Sequence, residues 1–303
     1  MQPIAQQWQQ DFQQHLAFER RLSPHTCKAY GRDLAEMVAF ADQQNLTHWS
    51  DVHSQHVRLF VMYLNRRGLA AKSIQRMLST LRVFYDFLLR KRLLKVNPVE
   101  AVTGPKVEKK LPSVLGVDEL GQLLNFPQDD PLACRDLAMM ELFYSSGLRL
   151  AELAGLTLDR LDLSAAQLRV IGKGNKEREL PIGRFAVEAL QRWLKVRAGM
   201  VEPDQQAVFV SQQGQRLSVR SIQQRLRQRG LQQGVTGRLY PHRLRHSFAS
   251  HLLESSGDIR AVQELLGHAN LSTTQIYTHL DFQHLAQVYD QAHPRARKTK
   301  DKP

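Results

Sequence analysis

The chain has 303 residues, 42% of them hydrophobic and 23% charged, which is the composition of a folded globular protein and excludes the disordered and fibrous classes. Its length favours two domains, each able to bury a core without disulfide or metal staples. The balance of 42 Lys and Arg against 29 Asp and Glu gives +13, which favours a polyanionic partner, either nucleic acid or an anionic membrane surface, over the plainer reading of a solubilising surface charge.

The excess is present in both halves. Residues 1–111 hold 17 basic and 9 acidic side chains, and residues 112–303 hold 25 and 20. No apolar run approaches the roughly 18 residues that a membrane helix needs. The opening MQPIAQQWQQDFQQHLAFERR has no basic start leading into an apolar stretch, so a cytoplasmic location without membrane insertion is expected. Cys27 and Cys134 form no CxxC pair, and neither a disulfide framework nor a thiolate metal site is indicated.

The first part of the chain reads as helical. SPHTCKAYGRDLAEMVAFADQQ opens with Ser23 as N-cap and Pro24 at the first helical position. In AKSIQRMLSTLRVFYDFLLRKR, three- and four-residue steps join Ile74, Met77, Leu78, Leu81, Phe84, Tyr85 and Leu88 into a stripe that buries itself. The other faces carry Lys72, Arg76, Arg82, Arg90 and Lys91, and residues 66–110 hold 12 basic against 3 acidic side chains. A helical bundle with such a flank suits the phosphate backbone, and these five are the candidate DNA contacts. VNPVEAVTGPKVEKKLPSVLG, residues 96–116, has three prolines, two glycines and no sustained helical period, and reads as a connector.

Downstream, ACRDLAMMELFYSSG predicts a buried helix closed by Gly147, and LRLAELAGL the next helix, starting at Arg149. The period then changes. QLRVIGKGNKERELPI predicts a hairpin of strands Leu168 to Ile171 and Arg178 to Ile182 around a Gly-rich turn. Helices are expected at RFAVEALQRWLKVRAG, SVRSIQQRLRQRG, PHRLRHSFASHLLESSG, DIRAVQELLG, STTQIYTHL and DFQHLAQVYDQA, the last with an apolar stripe of Phe282, Leu285, Val288 and Tyr289.

Six residues of the second half form a set fitted to phosphate chemistry: Arg149, Lys173, His242, Arg245, His268 and Tyr277. Two guanidinium forks can hold the charge that develops on non-bridging oxygens and stay ionised throughout the relevant pH range. A lysine at a hairpin tip can protonate a leaving alkoxide, and histidines can donate to phosphate or take a phenolic proton. Tyr277 stands among Thr273, Thr274, Gln275, Thr278 and His279, the setting of a side chain that must reach a substrate and not of one that packs. Taken singly, Arg149 reads more readily as a helix-surface arginine, Lys173 as a solvated turn lysine and His268 as a helix-end residue. His242 and Arg245, three apart, share a side of one helix. His242 and His246 also stand four apart, as a metal pair would, but there is no HExxH, no carboxylate at matching spacing and no Cys ligand, so no metal site is expected. GKGNK is no P-loop, because it links two strands and lacks GxxxxGK[ST].

GLRLAEL, GKGNKER and PHRLRHSFASHLLESSGDIRAVQELLGHANLSTTQIYTH together resemble the boxes of the tyrosine recombinases, the phage integrase family. LSPHTCKAYGRDL and THLDFQHLAQVYDQAHPRA are similar to the Xer subfamily in particular, and the resemblance runs close to full length. It implies a mainly α fold with a small β-sheet: an N-terminal helical core-binding (SAM-like) bundle and a mixed α/β catalytic domain, closing together on duplex DNA. Residues 1–105 would be the DNA-binding domain, 106–112 the linker, 113–290 the catalytic domain and 291–303 a basic, disordered tail. The implied active site is Arg149, Lys173, His242, Arg245, His268 and Tyr277, with Tyr277 attacking the scissile phosphate to give a 3′-phosphotyrosyl link and a 5′-hydroxyl. His242 would take the proton, Lys173 would give one, and Arg149, Arg245 and His268 would stabilise the phosphate.

No metal, ATP or other cofactor is implied. The implied partners are duplex DNA, an XerD-like sister recombinase in a heterotetramer, and the translocase FtsK, in the resolution of chromosome or plasmid dimers. The alternatives are a phage- or transposon-type integrase, a type IB topoisomerase, and a non-enzymatic architectural DNA-binding protein.

Overall fold

The computed structural model describes residues 3–107, 114–172 and 177–256, and the chain divides into two units, Met1–Lys110 and Leu111–Pro303. Four helices build the first: α1 (Pro3–Gln14), continued by a π-helical turn His15–Glu19, then α2 (Pro24–Gln43), α3 (Ser54–Arg66) and α4 (Ala71–Arg90). Helix α2 starts as its sequence predicts, with Ser23 Oγ accepting from the Thr26 N–H at 3.2 Å and Pro24 in the first turn. The whole predicted stripe of α4 is buried, in a core shared with Phe12, Leu34, Met37, Trp49 and Phe60. Each of these large apolar side chains contributes about 1.5–3 kcal/mol by leaving water. Within that core, Tyr85 donates to the Trp49 carbonyl at 3.1 Å and Trp49 Nε1 to the Ala5 carbonyl at 3.0 Å, so both polar tips are satisfied.

The basic flank of α4 is partly used inside the unit. Arg76 donates to Asp33 at 2.6 Å, and Thr80 donates to the same buried carboxylate at 2.8 Å, joining α4 to α2. Arg82 donates to the Val102 carbonyl at 2.6 Å. The turn-rich stretch read as a connector is correspondingly shorter in the fold: Asn97, Val99 and Val102 are buried, Asn97 donates to Asp86 at 2.8 Å, and Gln75 donates to the Pro105 carbonyl at 2.9 Å. At its other end Leu115 is buried in the second unit, its N–H bonded to Ser247 Oγ at 2.8 Å. Proline and glycine there interrupt the helical period, while Asn97, Val99 and Val102 stay buried.

The second unit comprises α5 (Val117–Leu123), α6 (Pro131–Ser146), α7 (Leu150–Gly155), an antiparallel sheet of β1 (Leu161–Asp162), β2 (Gln167–Ile171) and β3 (Glu177–Pro181) in that order, then α8 (Arg184–Ala198), α9 (Val219–Gln232) and α10 (Pro241–Ser256). Asp130 caps α6 by accepting from the Leu132 and Ala133 N–H groups, and Gly147, at φ +56°, ends it in the left-handed conformation that costs glycine least. Helix α6 is the centre of the unit, buried on nearly all sides and packed against α8 and α10.

The hairpin occurs at its predicted place, paired from Gln167↔Pro181 to Ile171↔Glu177. Strand β1 and the bridges Thr157↔Ala207 and Val210↔Arg216 add extended structure that the sequence did not signal. The helices expected beyond residue 256, with the Phe282 to Tyr289 stripe, lie outside the described residues. Among the described residues no helix is long and apolar enough to cross a membrane.

Burial of α6 extends to Asp136, whose carboxylate is 1% exposed and takes hydrogen bonds from Arg135 (3.1 Å), Arg225 (2.9 and 2.5 Å) and Arg229 (2.9 Å). One buried charge thus ties α6 to α9. Asp136→Ala leaves three arginines facing one another without a counter-charge, and is expected to destabilise this unit by about 3 kcal/mol or more. Urea denaturation followed by tryptophan fluorescence measures this, and an unshifted midpoint would contradict it.

Candidate active site

Arg149 enters the site through the local rules that end one helix and begin another. Gly147 stops α6, Leu148 is buried, and Arg149 is the N-cap of α7. The first N–H groups of a helix lack intrahelical partners, and Glu152, at the third helical position, accepts the Arg149 N–H at 2.8 Å. The same carboxylate accepts Arg149 Nη1 at 2.9 Å and both terminal nitrogens of Arg178, from β3, at 2.9 Å each. Glu152 is 4% exposed, whereas Arg149 is 36% exposed. Burial pushes the Glu152 carboxyl up, but the hydrogen bonds from Arg178 and Arg149 outweigh it and hold the group below its usual range, so it is ionised at neutral pH.

Arg245 comes to the same place from α10, where it is buried and donates through Nη1 to the Gly147 carbonyl. Burial, together with the positive charges of Arg149 and Arg178, lowers it from the usual arginine range to about 10, with Glu152 acting in the opposite direction. It therefore remains a cation at neutral pH. Two further bonds fix the surrounding elements. Ser146 Oγ donates to the Pro181 carbonyl at 2.7 Å, fastening β3 to the end of α6, and the buried pair Tyr144 and His251 meets at 2.9 Å between α6 and α10.

His242 lies one turn before Arg245 and is exposed, while Arg245 is buried. A three-residue step keeps the two on one side of α10 but points them to different depths. The His242 imidazole is shifted below 6.5 by partial burial, then by His246, Arg245 and Arg149, and is mainly neutral at pH 7, as a proton acceptor must be. Its ring centroid is 6.5 Å from that of His246. Among the described residues no group of three His, Cys, Asp or Glu side chains is placed to hold a metal ion.

The structure thus brings Arg149, His242 and Arg245 together around the end of α6. Lys173, His268 and Tyr277 lie outside the described residues. Of the five candidate DNA contacts in the first unit, Lys72, Arg76, Arg90 and Lys91 are exposed and Arg82 is half-buried. Arg76 and Arg82 hold the internal bonds described above, and Lys91 lies over the Phe87 ring at 5.9 Å.

Glu152 and Arg178 were not among the residues singled out from sequence. The first carried a signal, since an acidic residue three after a helix start is the mark of a capping arrangement. Arg178, 26 positions away on a strand, carried none. Chemically the arrangement is a fixed, partly desolvated set of guanidinium donors able to hold an anion with two non-bridging oxygens.

The chain matches two family models: the phage integrase family over residues 113–284 and the phage integrase N-terminal SAM-like domain over residues 10–92. It is 54% identical over 293 residues to tyrosine recombinase XerC of Alcanivorax borkumensis, covering 96% of this chain and 94% of that one. To tyrosine recombinase XerC of Serratia marcescens it is 49% identical over 303 residues, covering 99% and 100%. Among solved structures, the XerH site-specific recombinase bound to its difH substrate in a pre-cleavage complex shares the fold, with a TM-score of 0.66 at 23% identity, over 88% of this chain and 80% of that one.

Proposed function

We propose, from the premise that this chain belongs to the phage integrase family and is a tyrosine site-specific DNA recombinase, that Tyr277 is its nucleophile and that Arg149, Lys173, His242, Arg245 and His268 complete the active site. The phenolic oxygen of Tyr277 attacks the scissile phosphorus while His242 takes its proton. The bond from phosphorus to the 5′ oxygen breaks, and Lys173 protonates that oxygen to a 5′-hydroxyl. Arg149, Arg245 and His268 hold the non-bridging oxygens as charge builds on them. The phosphotyrosyl link conserves the bond, and a 5′-hydroxyl of the partner duplex reverses the step in trans, so the chemistry needs no nucleotide or metal cofactor. The observation that carries this reading is the meeting of Arg149 and Arg245, from separate helices, at the Gly147 turn.

The similarity to XerC proteins over nearly the whole chain supports a finer reading. The protein acts in the cytoplasm within a heterotetramer on DNA, paired with an XerD-like sister recombinase and controlled by the translocase FtsK, to resolve chromosome or plasmid dimers. Residues 1–105 form its core-binding domain, with Lys72, Arg76, Arg82, Arg90 and Lys91 on the phosphate backbone, 106–112 the linker, 113–290 the catalytic domain and 291–303 a basic tail.

Covalent trapping on a nicked candidate site, followed by peptide mapping, tests the assignment. The DNA-linked peptide is expected to contain Tyr277, and nucleotide attached to any other residue would remove it from the role.

A further inference from the structure

Glu152 carries one negative charge and serves two guanidiniums unequally. From Arg149 it takes the backbone N–H and a single side-chain prong; from Arg178 it takes a complete fork, one nitrogen on each oxygen. A bidentate guanidinium–carboxylate pair is stronger and more directional than a single contact. Arg178 holds its fork even though its Nε is buried without a hydrogen-bond partner. Its place is set by the strand: it stands opposite Val170 in the sheet, and β3 is fastened further along where Ser146 donates to Pro181.

We propose that Arg178 is a positioning residue for DNA cleavage, which by occupying both oxygens of Glu152 keeps that carboxylate from closing as a fork on Arg149. The Arg149 guanidinium then gives Glu152 a single prong, and its charge is not matched one to one by that carboxylate. The inference rests on reading Arg149 as a phosphate stabiliser. Without Arg178, Glu152 and Arg149 form a neutral pair; with it, the three groups sum to +1. A carboxylate 4% exposed has little water with which to satisfy itself, so on losing Arg178 it draws on the cation that remains. Burial of Arg245 beside both arginines shows that their charges reach the same site.

If Arg178 merely pinned the strand, its loss would slow every substrate alike. A scissile methylphosphonate, in which a methyl group replaces one non-bridging oxygen, has no anionic charge for Arg149 to hold, and separates the two roles. Arg178→Ala is expected to slow covalent adduct formation on the ordinary diester by about 30-fold, less than the loss of a direct charge-stabilising donor. On the methylphosphonate its deficit should shrink to within about 3-fold of the unsubstituted protein, following Arg149→Ala, because the charge term is absent from the substrate. Arg178→Lys keeps the charge but cannot fork; it should be impaired on the diester and relieved in the same way, and it serves if the alanine variant does not fold. Equal slowing on both linkages, or none on either, overturns the proposal. If Arg149→Ala gains nothing from the methylphosphonate, the reading of Arg149 itself fails; if Arg149→Ala is relieved and the Arg178 variants are not, the role of Arg178 alone falls.

Discussion

Tyr277→Phe is expected to bind duplex DNA as the unsubstituted protein does and to form no covalent adduct with a nicked suicide substrate. The substitution removes one oxygen and leaves the ring and every cation in place. At an ordinary pKa of ~10 only about one phenol in a thousand is ionised at neutral pH, so the nucleophile depends on a proton acceptor and on nearby positive charge. Neither can act where there is no oxygen. Losing one member of a catalytic set that works as a unit costs on the order of 10⁴-fold or more, which takes adduct below detection on a denaturing gel. Binding is expected to survive because it draws on the whole basic surface, with an excess of +8 in residues 1–111 and +5 in residues 112–303, and to weaken steeply with salt as counterions compete. A salt-resistant adduct formed by the phenylalanine variant would end the assignment.

Arg245→Lys is the second large effect. The substitution looks conservative, but in this place it is not. Lysine is a single point donor and cannot hold both Gly147 and a phosphate oxygen in the geometry of a planar fork. The burial and neighbouring positive charges that lower the arginine to about 10 would lower a lysine as well, and a lysine starts from an ordinary value nearer neutrality. Cleavage is expected to fall by about 10²-fold at pH 7, the cost of removing one preorganised donor from developing charge. The deficit should deepen between pH 7 and pH 9, because the lysine loses its proton as pH rises through its pKa while the arginine keeps most of its charge. Single-turnover cleavage at the two pH values, each relative to the unsubstituted protein, measures both components. Parity at pH 9 would show that Arg245 does not act through its charge.

What could be read from the sequence, and what could not, divides by the distance over which each signal acts. The start of α2 at Ser23 and Pro24, the stop of α6 at Gly147 and the buried stripe of α4 are local, since capping, left-handed glycine and a 3.6-residue period are written in adjacent residues. The bridge at Ala207 depends on a partner far away in the chain, and β1, although it pairs with the neighbouring Gln167 and Leu168, is too short for alternation to mark it. Residues 96–105 have the composition of a connector yet pack into the first unit, because composition reports where helix ends and says little about burial. In the site, spacing alone joined only His242 to Arg245. The link from Arg245 to the end of α6 spans 98 positions and needs the fold, or a family pattern, to be seen. Arg178 was quoted within GKGNKER, but its partner was hidden because a buried carboxylate gathers donors from separate elements.

Arg245 holds its proton less firmly than a solvated arginine, first because it is buried and then because Arg149 and Arg178 repel it. A phosphodiester bound beside these guanidiniums brings negative charge to a buried cation, so DNA binding is expected to raise the resistance of the catalytic unit to heat and denaturant.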